Sequence, residues 1–479
     1  MNTRTLWGVS IAISLLGTWL LFDAMPGANW IVWVSAASLG LIWTVRRQGT
    51  PSRAMLLTGL AAMVISGAAA VTASPVITVL ICGSVILYLA MQMLLSAEEG
   101  GLRLTLSFAV TAPFVAFVRA VFEALRRGVG LTNEARSPGA AAALRGAALT
   151  VPVLIVFALL LSNADPMFAA WRVAIEEQLE SFSYLPRMFF FFGLLTIVVG
   201  AYGFAASARP VQVRGPARDL RILGPTERMI LLGSVATLFW IFLAVQLSYL
   251  FGTSPAEPGS GITFAEYARR GFAELTVVST SAALLIILGE VFGRAEHRRK
   301  SLRAITFAVL LAVFLLLASA LNRVLLYEEA YGHTVARLYG KTFMIAVALG
   351  LLALCLEVGG EFNSGRLFRR TMAVVTTLFI GLAYWNHEAW IVDKNIERYA
   401  SMGQLDVPYL IRELSSDAVP AVAAGLHELP PEIRDTIRAE MQDHYSGRAR
   451  MFGGSWYEWN LSRVRARRAL ATDFGVTFP

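Results

Sequence analysis

Cysteine, histidine and charge are all scarce in this chain of 479 residues: it has two cysteines and five histidines, and Asp, Glu, Lys and Arg together make up 15%. Cys82 and Cys355 each lie inside an apolar run, and neither belongs to a CxxC or other metal-ligand spacing. That excludes a disulfide framework and a cysteine-based zinc site, and both read as small buried hydrophobes. A soluble domain would carry about 25% charged residues. The shortfall, with 56% hydrophobic residues and a mean hydropathy of +0.60, excludes a chain that is soluble throughout. Catalytic signatures are missing too: there is no HExxH, no GxSxG, no Walker loop and no GxGxxG after a strand. No internal repeat is visible, which removes the usual sequence pointer to an inverted-repeat transporter.

What the chain does have is a series of apolar runs about as long as a bilayer is thick. In lipid every backbone polar group needs an internal partner, so such runs form helices. They are too continuously apolar for the alternating strands of a membrane barrel. The fold class is therefore all-α, a polytopic integral membrane helical bundle. Eleven spans are expected, at 6–22, 29–45, 54–72, 76–96, 147–163, 186–208, 226–251, 270–292, 304–322, 343–359 and 372–390. The first follows Arg4, but "FDAMPGANW" after it lacks a small-x-small cleavage site, so it reads as an anchor rather than a signal peptide.

Orientation follows from the cations. With the N-terminus inside, 23 of the 41 Lys and Arg residues fall on cytoplasmic segments and 7 on the opposite connections; the remaining 11 belong to the C-terminal tail. Short loops rich in Lys and Arg stay inside, so the reading is N-in and C-out, and the net charge of +8 reflects topology and not a nucleic-acid partner. "LRLTLSFAVTAPFVAFVRAVFEALRR" (102–127) is apolar enough for a twelfth span, yet as a span it would turn the basic loops downstream outward. It reads as a cytoplasmic interfacial helix. Four regions result: a four-span region 1–96, an interfacial helix and loop 97–146, a seven-span core 147–392, and a soluble helical extracytoplasmic tail 393–479.

Polar residues collect on the outer connections. "NADPMFAAWRVAIEEQLESFSYLP" (163–186) reads as an amphipathic surface helix opened by Asp165 and Pro166. In "FAEYARRGFAEL" (264–275), Glu266, Arg270 and Glu274 fall four residues apart, on one side of a helix with alternating sign. "NRVLLYEEAYGHTVARLYG" (322–340) lies between two long apolar runs. Read as a helix, it puts Arg323, Tyr327 and Tyr331 on one side and Glu329, His333 and Arg337 on another, with Glu328 adjacent. Glu329 stands four residues before His333, close enough to favour its protonation, and Gly332 is placed to bend the helix. Part of this set matches the aromatic and cationic belt of any membrane boundary; two carboxylates and a histidine do not. "AYWNHEAWIVDKNIERY" (383–399) adds His387 and Glu388 on the same side. These groups are a candidate external polar site. In the tail, Tyr409, Leu410, Leu414, Val419, Val422 and Leu426 are spaced for short packed helices.

Three stretches in this order, "FAEYARRGFAEL", "NRVLLYEEAYGHTVARLYG" and "WNHEAWIVDKNIERYASMGQLDVPYLIRELSSDAVPAV", resemble the bacterial polytopic membrane family built on domain of unknown function 4173, with its close relative 4153. The resemblance covers roughly residues 150 to 425 and implies a protein of the bacterial cytoplasmic membrane. It implies no activity, cofactor or catalytic residue.

Three function classes fit. One is a non-enzymatic sensor, regulatory or scaffold component whose tail meets a protein partner, in contact otherwise with membrane lipids. Another is a transporter or channel using Glu290, Glu357 or the outer polar residues. Both of those glutamates lie beside basic loops, where pairing at the boundary is the cheaper explanation. The third is an enzyme acting on a lipid-linked substrate, for which Asp23 in the first outer connection is the suitable acid. No cofactor is expected, and His333, His387 and Glu388 lack a diagnostic metal-ligand spacing.

Overall fold

The computed structural model describes residues 2–96, 106–133, 184–207, 223–251, 272–293, 300–448 and 451–478. The span expected at 147–163, the surface helix at 163–186 with Asp165, and the charged pair Glu266 and Arg270 lie outside the described residues. The described residues are mainly helical, with one isolated bridge between Leu223 and Gly293 and no strand among them. Eleven helices among them are long and apolar enough to cross a membrane. The chain divides into two compact units, one of Met1–Leu102, Ser107–Val213 and Gly453–Leu461, the other of Arg103–Leu106, Arg214–Phe452 and Ser462–Pro479.

The first unit holds α1 (Thr3–Leu21), α2 (Ala28–Arg46), α3 (Arg53–Gly67), α4 (Pro75–Leu95), α5 (Leu106–Asn133) and α6 (Leu185–Ala206). Ser52 caps α3 by accepting the Met55 N–H, and Pro75 opens α4 where a missing N–H costs nothing. Small and hydroxyl residues turn inward: Ser10, Ser14 and Gly17 on α1, Ser38 and Thr44 on α2. Leu15, Leu57, Val79 and Ile86 turn outward. This inversion suits lipid, where close approach and hydrogen bonds hold helices together. Gln92 Nε2 donates to Ser38 Oγ at 2.8 Å, and the Tyr202 hydroxyl donates to the Ala37 carbonyl at 2.8 Å.

Residues 453–461 close this unit at one end. The Met25 N–H donates to Glu458 Oε1 at 3.1 Å and the Ala28 N–H to the Trp459 carbonyl at 2.9 Å. Asn460 Nδ2 donates to the carbonyls of Ala69 and Thr72, each at 2.8 Å. Trp19 packs on Trp456 and Tyr457, with centroids 6.0 and 5.3 Å away. The α1–α2 and α3–α4 connections therefore share one end with this clasp. α6 starts at the same end, since Phe190 and Arg187 sit against Phe22, whereas α4 finishes at the other.

The amphipathic helix expected at 102–127 forms as α5. Ala109, Ala112, Ala116 and Ala120 are buried, while Val110, Phe114, Phe117 and Phe122 are exposed. Ala120 meets Gly200 so closely that a Cβ there would lie 1.9 Å from the Ala120 carbonyl oxygen. Glu123, Arg126 and Arg127 gather on Ser207 at the C-terminal end of α6. Phe108–Gly128 is also long and apolar enough to cross. The eleven candidate spans among the described residues thus include this helix, where the sequence reading had counted 147–163.

The second unit holds α7 (Pro225–Phe251), α8 (Phe272–Val291), α9 (Lys300–Tyr331), α10 (Val335–Gly359) and α11 (Ser364–Tyr384). Smaller elements follow: α12 (His387–Met402), a π turn (Tyr409–Glu413), α13 (Val419–Gly425), α14 (Pro431–Ser446) and α15 (Leu461–Asp473). One apolar core centres on α9, with Val309, Val313 and Leu316 packed against Ile286, Leu351 and Leu354. A second is built by Ile391, Val392 and Ile396 of α12 with Leu410, Leu414, Val419, Val422, Leu426, Ile437 and Leu470. The tail spacing read from sequence is the core of that domain. The last span ends at Tyr384 instead of continuing to residue 390, because Asn386 accepts the Ala389 N–H and starts α12 anew. α12 runs unbroken through 392 and 393, so that expected boundary falls inside a helix. Cys82 and Cys355 are free and half-buried instead of fully buried.

Candidate functional site

The stretch 322–340 is two helices and not one. α9 stops at Tyr331, Gly332 takes φ +81°, and Thr334 caps α10 by accepting the Arg337 N–H. A side chain at 332 would be strained there, and its Cβ would lie 2.6 Å from Asn395 Oδ1. This break resets the helical phase, so the expected Glu329–His333 pairing does not form. Glu328 takes that place. It is 2% exposed, and its Oε2 lies 2.6 Å from Lys341 Nζ and 3.5 Å from His333 Nδ1. Its Oε1 has no hydrogen-bond partner. Trp390 closes the cluster: its ring stands edge-on to His333 at 5.2 Å, and Lys341 Nζ lies 5.5 Å from its centroid.

The tail reaches back to the same turn. Asn395 accepts the His333 N–H and donates to the His333 carbonyl, both at 2.8 Å. Arg398 donates to the carbonyls of Glu329 and Ala330 in the last turn of α9, which is the usual use of a cation at a helix C-terminus. The Val335 N–H donates to the Tyr409 hydroxyl at 2.8 Å. Arg337 donates to the Gly332 carbonyl and lies 4.2 Å from the Tyr327 centroid, and Tyr327 packs on Tyr331 at 4.8 Å. Lys341, Trp390, Asn395 and Arg398 were all missed as site residues, although three of them lie within the quoted stretches.

The remaining predicted residues are dispersed. The exposed Glu329 offers its backbone carbonyl to this cluster. Arg323 is half-buried on α9, and Glu274 is exposed in the first turn of α8. Glu388 is buried and accepts the Ser415 N–H at 2.6 Å. His387 is buried, with Nδ1 3.3 Å from the Trp385 carbonyl and Nε2 3.0 Å from the Tyr339 hydroxyl. A carbonyl only accepts, so Nδ1 carries the proton and Nε2 accepts from Tyr339. Burial holds the imidazole below its usual pKa, that is, neutral. His333, His387 and Glu388 thus have three different sets of partners, and no group of three or more His, Cys, Asp or Glu is placed to hold a metal among the described residues.

The other acids are locked. Arg228 Nη2 lies 2.6 Å from Glu290 Oε1, with both side chains buried. Glu357 accepts from Arg366 Nε and Nη2 and from Arg370 Nη1, each at 2.7 Å. Pairing at the boundary, expected for both glutamates, is what the geometry holds. Asp23 lies in the α1–α2 turn at φ +52°, a conformation Asp tolerates.

A family model described as "Domain of unknown function (DUF4153)" matches residues 54–425. The chain belongs to that family. Of the two relatives suggested by sequence, DUF4153 is the one matched, and the match begins well before residue 150, taking in α3 and α4. The Glu328 cluster, its Asn395 and Arg398 locks and the π turn all lie within the DUF4153 match, while the clasp at 453–461 lies beyond it. No curated protein and no solved structure matches the chain.

Proposed function

We propose that the protein is a non-enzymatic sensor or regulatory scaffold of the bacterial cytoplasmic membrane, which carries its small helical tail on the extracytoplasmic side. The observation that carries this reading is the use of the motif's polar groups. Asn395, Arg398 and Tyr409 engage backbone atoms of the α9–α10 turn, and Glu388 engages Ser415. They tie a folded domain to the ends of the spans and do not converge on a reacting centre. Glu290 and Glu357 are held in ion pairs, which argues against either as a carrier of a moving ion.

Topology is supported from two directions. The cation count puts the α1–α2 connection outside, and the clasp ties residues 458–460 of the tail to that connection.

A reporter fused after Pro479 and active only in the cytoplasm would overturn the orientation. For the role, Asn395→Ala with Arg398→Ala is expected to make the tail protease-sensitive and to remove function in the same proportion. Loss of the knockout-complementing activity at normal abundance with a protease-resistant tail would favour a reactive site instead.

A further inference from the structure

A cavity of about 270 Å³ adjoins the motif, between Tyr331 of α9, His333 and Thr334 of the turn, Arg398 of α12, and Asp406 and Tyr409 of the tail. Pockets for drug-sized molecules run about 300–1,000 Å³, so its occupant is smaller. α9 has 32 residues; at about 1.5 Å per residue it outruns a hydrocarbon layer about 30 Å thick. Its last turn therefore reaches the headgroup layer, where Tyr327, Tyr331, Trp385 and Trp390 form aromatic pairs suited to that depth.

The lining offers both signs of charge. The Asp406 carboxylate accepts the Tyr409 N–H through Oδ1 at 3.1 Å, which leaves Oδ2 for a cation. The Tyr409 hydroxyl accepts from Val335 and Thr334 Oγ1 accepts from Arg337, so each keeps its own proton to donate. His333 turns Nδ1 toward Glu328, which leaves Nε2 for the cavity. Arg398 donates to three backbone carbonyls and retains its positive charge. Hydroxyl donors and a guanidinium on one lining suit an anionic end, and a carboxylate and an aromatic ring on the same lining suit an ammonium.

We infer that this cavity binds a small zwitterion with a primary ammonium and a phosphate, the chemistry of a phosphoethanolamine headgroup carried on a lipid or free in solution. The inference rests on the sensor reading only for its meaning in the cell; binding is measured without reference to any cellular role.

The full chain, purified in detergent, is titrated with phosphatidylethanolamine, with phosphatidylglycerol of the same acyl chains, and with soluble phosphoethanolamine, and bound ligand is followed by native mass spectrometry. Phosphatidylethanolamine is expected to be retained about tenfold better than phosphatidylglycerol, which corresponds to about 1.4 kcal/mol. Asp406→Asn should remove that preference. Ala330→Phe, which fills the cavity wall, should remove binding at an unchanged melting temperature. Competition by soluble phosphoethanolamine identifies a free zwitterion as a ligand, and its absence assigns the site to the lipid. Equal retention of the two lipids, or ethanolamine binding untouched by both substitutions, overturns the inference.

Discussion

Two buried glutamates of the second unit, Glu328 near the C-terminal end of α9 and Glu357 near the C-terminal end of α10, are partnered differently. Glu357 is closed on every side: Oε1 accepts from Arg366 and Arg370, and Oε2 from Arg366 and the Asn363 N–H. Glu328 uses one oxygen for Lys341 and faces His333 with it, and its other oxygen is left without a partner. Buried carboxylates that are fully hydrogen-bonded fix a geometry, while an unfilled buried acceptor is costly. The first fixes the junction between α10 and α11. The second faces His333, a residue of the cavity lining, and keeps one interaction unmade.

The sharpest way to break that contrast is at the fully partnered glutamate. Glu357→Ala strands two arginines and an amide, and is expected to cost about 3 kcal/mol, the low end for removing one partner of a buried pair because both arginines reach water. Protein abundance and melting temperature in detergent check it. Asn395→Ala, which removes both hydrogen bonds to the His333 backbone, should cost about 2 kcal/mol and appear as protease sensitivity of the tail with the spans intact. Glu328→Gln should cost only about 1 kcal/mol, since the long Lys341 stem can carry its ammonium toward water. If Glu328→Gln destabilises as much as Glu357→Ala, the two glutamates are equivalent and the contrast fails.

The smallest effect is on pH. Burial lowers the pKa of His387, so the unfolded chain binds a proton that the folded tail excludes. Stability from this group is complete above the unfolded value of about 6.5 and is lost as pH falls below it through the folded value. His444 is lowered by burial and by Arg448, with the same sign. The melting temperature of the tail should drop between about pH 7.5 and about pH 5, and His387→Gln should flatten part of that slope. A tail that stabilises on acidification would contradict the neutral assignment.

The expected spans that fall on described residues and the tail core were legible because burial in lipid or in a small core imposes a period that single residues report. Val419, Val422 and Leu426 read correctly for that reason. Glu329 was preferred to Glu328 because an unbroken helix was assumed; one glycine at positive φ moved the partner by a residue. Lys341 was counted as a loop cation, and nothing local indicates that it meets a carboxylate thirteen positions earlier across a turn. Asn395 and Arg398 stood in plain view within a quoted stretch, yet their partners are backbone atoms some 60 to 70 residues away, and backbone acceptors leave no trace in side-chain identity.

The clasp at 453–461 bears on the order of assembly. A ribosome delivers α1 to α4 to the bilayer long before it makes Glu458 and Asn460. Until then the bonds from the Met25 and Ala28 amides and to the carbonyls of Ala69 and Thr72 are not yet made. The seal on α1 to α4 is therefore completed by residues made 388 to 433 positions later, so a chain stopped short of Gly453 would leave these two connections without their clasp.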